Sequence, residues 1–213
     1  MIKEIYTLYV ERWHFFLDLM WEHLQISLTS IVIATMVGLG LGIMISMYRK
    51  SSSTVLGLTN FIYTIPSIAL FGFLIPFSGI GNTTAIIALS IYALLPMVHN
   101  TYTGIIGIDK EIIEAARGMG STTFQILYKI QIPLAFPVIL SGIRNMVVMT
   151  IALTGIAAFI GAGGLGVAIY RGITTNNSAM TIAGSLLIAL LALLADWGVG
   201  RYEKYIKRKR KLL

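Results

Sequence analysis

The residues of this sequence with chemistry to offer are aromatic rings, clustered glycines and a few charges within apolar runs. Tyr63, Phe71, Phe73 and Tyr92 are aromatic positions able to surround a cation by cation–π attraction, with ordinary packing as the alternative reading. Gly161, Gly163, Gly164 and Gly166 cluster within six positions. Such a cluster permits positive φ and close backbone approach, which suits a re-entrant turn acting as an external gate or protein contact; a flexible loop is the other possibility. Arg144 lies inside an apolar run, where an unpaired charge costs about 2.5–3.5 kcal/mol, so it must face protein or water. Asp196 is expected to pair with a basic residue such as Arg201 or Arg49. The chain has no cysteine, which excludes disulfides, thiolate metal sites and cysteine nucleophiles. It has no Gly-Lys dipeptide, hence no P-loop, and no grouping of His, Asp and Glu at a common depth, so no catalytic residue, cofactor or metal ligand is assigned.

What positions these residues is a membrane. Of 213 residues, 56% are hydrophobic and only 12% charged, far from the balance of a soluble domain. Runs of about 20 apolar residues predict an all-α protein of five spans, at about 24–48, 54–77, 83–107, 133–160 and 179–200. Residues 1–22 mix charge with Tyr6, Trp13, Phe15, Phe16 and Trp21, predicting a retained extracytoplasmic or interfacial segment, either a helix lying in the interface or a loosely ordered leader.

The net charge of +7 is localised. Arg49 and Lys50, then Lys110, Arg117 and Lys129, then Arg201, Lys204, Lys207, Arg208, Lys209, Arg210 and Lys211 all fall on one face of the predicted topology, twelve of the 16 basic residues. The positive-inside rule therefore places the N-terminus outside and the C-terminus in the cytoplasm. The basic tail at 201–213 reads as an anchor to the anionic leaflet of membrane lipid rather than a nucleic-acid site. Ser30, Ala34, Gly38, Gly42 and Ser46 recur every fourth position and predict a close helix contact along the first span. Pro66, Pro76 and Pro96 interrupt spans two and three, either bending helices around a pathway or simply kinking them.

The connector between spans three and four is too patterned for a linker. Asp109 as N-cap, Glu111 in the first turn and the Gly118–Gly120 break define one short helix. Thr122 and Gln125 form a capping box opening a second, and Pro133 is expected to start span four. Phe124, Leu127 and Tyr128 share a face by i, i+3, i+4 spacing. That stripe either docks in a partner's groove or packs on the chain's own spans.

The segment Glu114-Ala115-Ala116, then Gly120, then Ile130 and Ile132-Pro133, resembles the EAA loop of permease subunits of binding-protein-dependent ABC importers, with Ile132 where that pattern has leucine. Thr64–Leu70, Ala85–Leu89, Tyr92–Pro96, Asn100–Gly104 and Ile160–Gly166 further resemble permeases for glycine betaine, carnitine and choline, with His99 where many relatives carry arginine. The similarity covers residues 20–200 and implies a type I importer fold of the methionine-permease kind with cytoplasmic coupling helices. It implies as partners an ABC ATPase subunit, a second identical or homologous permease, and an extracellular substrate-binding protein that would meet Gly161–Gly166. On the same resemblance, Glu114, Ala115, Ala116, Gly120, Ile130 and Pro133 would couple to the ATPase; for a quaternary amine solute, the cation–π reading of the aromatic residues would put Tyr63, Phe71 and Tyr92 on the substrate path. A nucleotide-independent transporter or channel is the alternative, although the spans lack a pattern of acidic residues of the kind that ion coupling uses.

Overall fold

The computed structural model describes residues 1–209, and within them the chain is helical with no strand. In order come α1 (Ile2–Glu11), α2 (Trp13–Met47), α3 (Ser52–Thr64), α4 (Ser67–Ser78), α5 (Asn82–Ile106), α6 (Lys110–Gly118), α7 (Thr123–Ile126), α8 (Ile132–Thr154), α9 (Gly166–Thr174) and α10 (Ser178–Lys209). Four helical stretches are long and apolar enough to cross a membrane: α2, α5, the run Thr123–Thr154 and α10. The α3–α4 pair makes a fifth if taken as one broken span. Arg210 and Lys211 of the predicted basic tail lie outside the described residues.

The small-residue stripe explains why α2 and α5 lie together. Ser30, Ala34, Gly38 and Gly42 are buried. A Cβ on Gly38 would meet the Met97 Cβ at 2.7 Å, and one on Gly42 the Thr101 Cβ at 2.5 Å. Without those side chains α5 approaches until its own residues fill the seam. On the other side of α5, Gly142 of α8 leaves the same kind of space for the Asn100 Cβ, 2.6 Å from where its own would stand. Helix α5 is thus the axis of the bundle, with α2 and α8 on its flanks. Gly42→Leu is expected to force this contact apart, lowering stability by about 1–3 kcal/mol or more. Thermal unfolding in detergent reads the effect, with Gly40→Leu, at a position with open space around it, as the control.

The second predicted span is not one helix. Helices α3 and α4 meet at Ile65–Pro66 at an angle of 100°. Proline removes one N–H and pushes the preceding residue out of the helical region, and Ile65 is extended at φ −71°, ψ 127°. The Tyr92 hydroxyl on α5 donates to the exposed backbone carbonyl of Ile65, so a neighbouring helix satisfies the break. Tyr92→Phe is expected to leave that carbonyl unpaired and cost about 1–3 kcal/mol, visible as a lower Tm in detergent. Pro76 and Pro96, in contrast, lie inside continuous helices.

Two further departures concern the ends. The apolar run from residue 24 is only part of α2, which begins at Trp13 and therefore includes Trp21 and Glu22. Helix α1 is separate and lies on α10, where the Tyr9 hydroxyl donates to the Ala183 carbonyl at 2.8 Å. At the end of the glycine cluster Gly161–Gly166, where the sequence predicts no further helix before the last span, the chain forms α9, whose Gly166, Ala168 and Gly172 are buried.

Candidate functional site

At one end of the bundle, α6 and α7 form a knuckle. Asp109 stands at the N-cap of α6 but its side chain makes no cap hydrogen bond, a correction to its expected role. The chain reverses at Gly120, whose φ of +83° is left-handed backbone that a Cβ disfavours. The capping box forms as the sequence predicts: Gln125 N–H donates to Thr122 Oγ1 at 3.3 Å, and Thr122 N–H donates to Gln125 Oε1 at 2.8 Å.

Pro133 does not start a new helix. A π turn over Leu127–Gln131 joins α7 to α8, and the whole stretch Thr123–Thr154 is continuous for 32 residues. Pro133 has no N–H to offer the carbonyl four residues back, and its ring crowds that carbonyl; the wider turn placed immediately before it accommodates both. Ile130 sits within the π turn, so the segment bearing Phe124 and Tyr128 is rigidly continuous with a long span.

The aromatic stripe divides. Phe124 and Tyr128, four residues apart, are 68% and 66% exposed and their rings stack with planes 2° apart. Leu127 is turned inward and buried, within the core cluster that includes Ile105 and Ala135, so of the two readings of the stripe it takes packing on the chain's own spans. Three positions at that spacing span about 100° of the helix, and here the bundle covers one edge of the arc. In α6, Glu114 and Ala115 are exposed and Ala116 is buried. Met119, at the reversal, is 79% exposed and extends the apolar surface. Behind the knuckle a cleft of about 380 Å3 holds Glu114 among the cations Arg49, Lys110 and Arg117.

The glycine cluster lies at the other end and is more tightly built than a loop. Gly161 and Gly164 have φ of +75° and +89°. Gly164 N–H donates to Glu22 Oε2 at 3.1 Å, Gly163 N–H donates to Asn82 Oδ1 at 2.8 Å, and Asn82 Nδ2 donates to Glu22 Oε1 at 2.9 Å. A Cβ on Gly163 would collide with the Glu22 carboxylate, so the glycines are what lets this turn clasp α2 and the start of α5. Neither Glu22 nor Asn82 stood out in the sequence; an acidic residue inside a long apolar-aromatic helix was the available signal.

Arg144 is paired within the chain. Its Nε and Nη2 donate to the two carboxylate oxygens of Asp196 at 2.6 and 2.7 Å, in a fork-on-fork geometry. Glu203 stands 3.5 Å from Arg144 Nη1 and also accepts from Ser141 Oγ and Lys207 Nζ, both at 2.7 Å. Asp196 therefore does not bond Arg201 or Arg49; the guanidinium of Arg201 instead sits 5.5 Å over the Trp197 ring.

Of the three aromatics expected on a substrate path, the structure separates two from the third. Phe71 is fully buried and Tyr92 nearly so, both in the core between α2, α4 and α5. Tyr63 is 45% exposed and opens onto a groove of about 650 Å3 between α3, α5, α8 and α10, with Asn60, His99 and Asn145 beside it.

The family model for the binding-protein-dependent transport system inner membrane component matches residues 30–208. The chain is 39% identical over 199 residues to the carnitine transport permease protein OpuCB of Listeria monocytogenes, covering 93% of this chain and 91% of that one. It is 39% identical over 211 residues to the glycine betaine/carnitine/choline transport system permease protein OpuCD of Bacillus subtilis, covering 99% and 92%. To the osmoprotectant import permease protein OsmW of Salmonella typhimurium it is 41% identical over 208 residues, covering 92% and 97%. Among solved structures, an inward-facing form of the MetNI methionine ABC transporter superposes with a TM-score of 0.83 at 24% identity, covering 90% of this chain and 95% of that one. An amino acid ABC transporter crystallised with histidines gives 0.78 at 19%, covering 92% and 96%. These two establish the fold alone.

Proposed function

Since the chain belongs to the binding-protein-dependent transport system inner membrane components, we propose that it forms half of the path of an ATP-driven importer for glycine betaine, carnitine or choline. The names of its relatives supply the solute class. The coupling half of the reading is carried by one observation: the exposed Phe124–Tyr128 stack rides on a helix that continues unbroken into α8. A partner that grips this stack moves a span directly, with no hinge between to absorb the displacement.

On this reading the α6–α7 knuckle faces the cytoplasm and a separate ATPase seats Glu114, Ala115, Ala116 and Gly120 along with the two rings. The glycine clasp at Gly161–Gly166 faces outward, where a substrate-binding protein delivers its load. A second permease, identical or homologous, closes the path. The N-terminus is outside and the described end of α10 inside. Nucleotide-independent transport finds less support, because Asp196 and Glu203 are each held by a cation and neither stands free to couple a proton.

Copurification tests this. Expressed with its ATPase subunit, the chain is expected to retain it through detergent extraction, and Glu114→Lys or Gly120→Asp is expected to release it. Unchanged association in both variants contradicts the assignment of the knuckle.

A further inference from the structure

The groove between α3, α5, α8 and α10 has a composition that a lipid-facing or merely structural surface would not have. Asn60, His99 and Asn145 are exposed in it, and their side chains make no hydrogen bond among the described residues. Asn60 stands one turn before the end of α3, four residues from Thr64 and next to the Ile65–Pro66 break between the two halves of the broken span, while Asn145 lies thirteen residues into α8 and His99 seven before the end of α5, about 20 and 10 Å along their axes. Carboxamides and imidazole at that depth are costly against hydrocarbon and are found facing protein or water-filled cavities. The volume of about 650 Å3 falls in the range of small-ligand sites, roughly 300–1,000 Å3.

The electrostatics narrow the occupant. The carboxylate that borders the groove, Asp196, has both oxygens engaged by Arg144, so this wall presents a neutralised pair. The remaining polar surface is carboxamide and imidazole, with the half-exposed Tyr63 ring among it. A quaternary ammonium head has no N–H to donate and is weakly hydrated, so aromatic rings and amide oxygens solvate it without a full negative charge. The carboxylate or hydroxyl at the other end of such a solute can accept from asparagine N–H groups. A lining of amide and aromatic groups with no free carboxylate also binds weakly, as conduction demands: favourable enough to enter, not enough to trap. Tyr63 itself is steadied by an edge-on contact with Tyr92, centroids 6.1 Å apart, and a contact from its hydroxyl to the Met149 sulfur at 3.6 Å.

We infer that this groove is the stretch of solute path contributed by the chain, with Asn60, Tyr63, His99 and Asn145 as the residues that contact a small zwitterion or quaternary cation in transit. The inference rests on the reading of the chain as a quaternary-amine permease and names its site. Phe71 and Tyr92 take no part in it.

The absence of cysteine makes the test direct. Asn60→Cys and Asn145→Cys, assembled with the ATPase and second permease in proteoliposomes, are exposed to 2-(trimethylammonium)ethyl methanethiosulfonate, a thiol reagent that carries a quaternary ammonium head. Met36→Cys, on an exposed face of α2 outside the groove, is the reference. Both groove cysteines are expected to react at least about tenfold faster than the reference, to be protected by saturating glycine betaine, and on modification to stop uptake. Reaction no faster than at Met36→Cys, in a complex that still imports glycine betaine, overturns the groove while sparing the transport assignment; failure of the unsubstituted complex to import any quaternary amine overturns the assignment itself. If a cysteine variant does not assemble, Asn145→Asp serves: a new carboxylate in a neutral groove is expected to raise the ratio of choline to glycine betaine uptake about fivefold or more. An unchanged ratio counts against the proposal.

Discussion

Phe124→Glu combined with Tyr128→Glu is expected to abolish nucleotide-driven uptake while the chain still reaches the membrane in normal amount. Both rings are two-thirds exposed and touch little of their own chain beyond each other, so the bundle does not depend on them. Buried in a partner, they would be anchors of the kind that contribute about 2 kcal/mol or more each. Losing both, and placing two carboxylates in their stead, weakens ATPase association by about a thousandfold or more, and uptake falls with it. Leu127→Glu, one position from Tyr128, makes the informative contrast. Its side chain is buried in the core between α2, α5 and α8. That variant is expected to fail earlier, as unfolded protein removed from the membrane. Membrane yield and retained ATPase, measured on all three variants, separate the outcomes. Equal behaviour of Leu127→Glu and the double variant contradicts the division of the stripe.

Arg144→Met is expected to lower the amount of folded chain about fivefold or more, and Arg144→Met with Asp196→Leu to recover much of the loss. Removing one partner strands a carboxylate that the guanidinium held by both oxygens, whereas removing both leaves two apolar side chains at span depth. Ser141, Glu203 and Lys207 remain bonded to one another and keep α8 tied to α10 in the double variant. Detergent-stable yield by size-exclusion chromatography, taken through the full double-mutant cycle, gives the coupling between the two sites. Additive losses would show that the pair is incidental to the packing of these helices.

Much of this was legible from residue type and spacing, and the departures share a physical pattern. The every-fourth-position stripe in α2, the capping box at Thr122 and Gln125, and the glycine reversal at Gly120 are local signals, and each took its expected form. What sequence did not reveal depends on which neighbour lies across a helix boundary. Asp196 is expected from sequence to meet Arg201 or Arg49, cations assigned to the same membrane face; its partner is instead Arg144 on α8, and only the packing of α8 against α10 brings the two together. Pro66 and Pro133 are chemically the same interruption, yet one bends the chain by 100° and the other is absorbed in a π turn. At Pro66, Tyr92 satisfies an exposed carbonyl; around Pro133 the helix continues through the π turn, with Leu127 and Ala135 on either side of the proline buried in the core. The aromatic candidates divide for a related reason. Tyr63, Phe71 and Tyr92 share a residue class and a region of sequence, but only Tyr63 sits on the side of the α3–α4 break that borders the groove.

The central claim is that this chain conducts while another chain supplies the energy through the Phe124–Tyr128 stack. Uptake of radiolabelled glycine betaine by proteoliposomes tests it most directly, comparing the chain alone with the chain assembled with its ATPase, second permease and binding protein. The account predicts accumulation against a gradient only in the full assembly, with the ATPase and ATP enclosed in the lumen and the binding protein outside, and none once Phe124 and Tyr128 are both glutamate. Concentrative uptake by the chain alone, or full activity of that double variant, would contradict it.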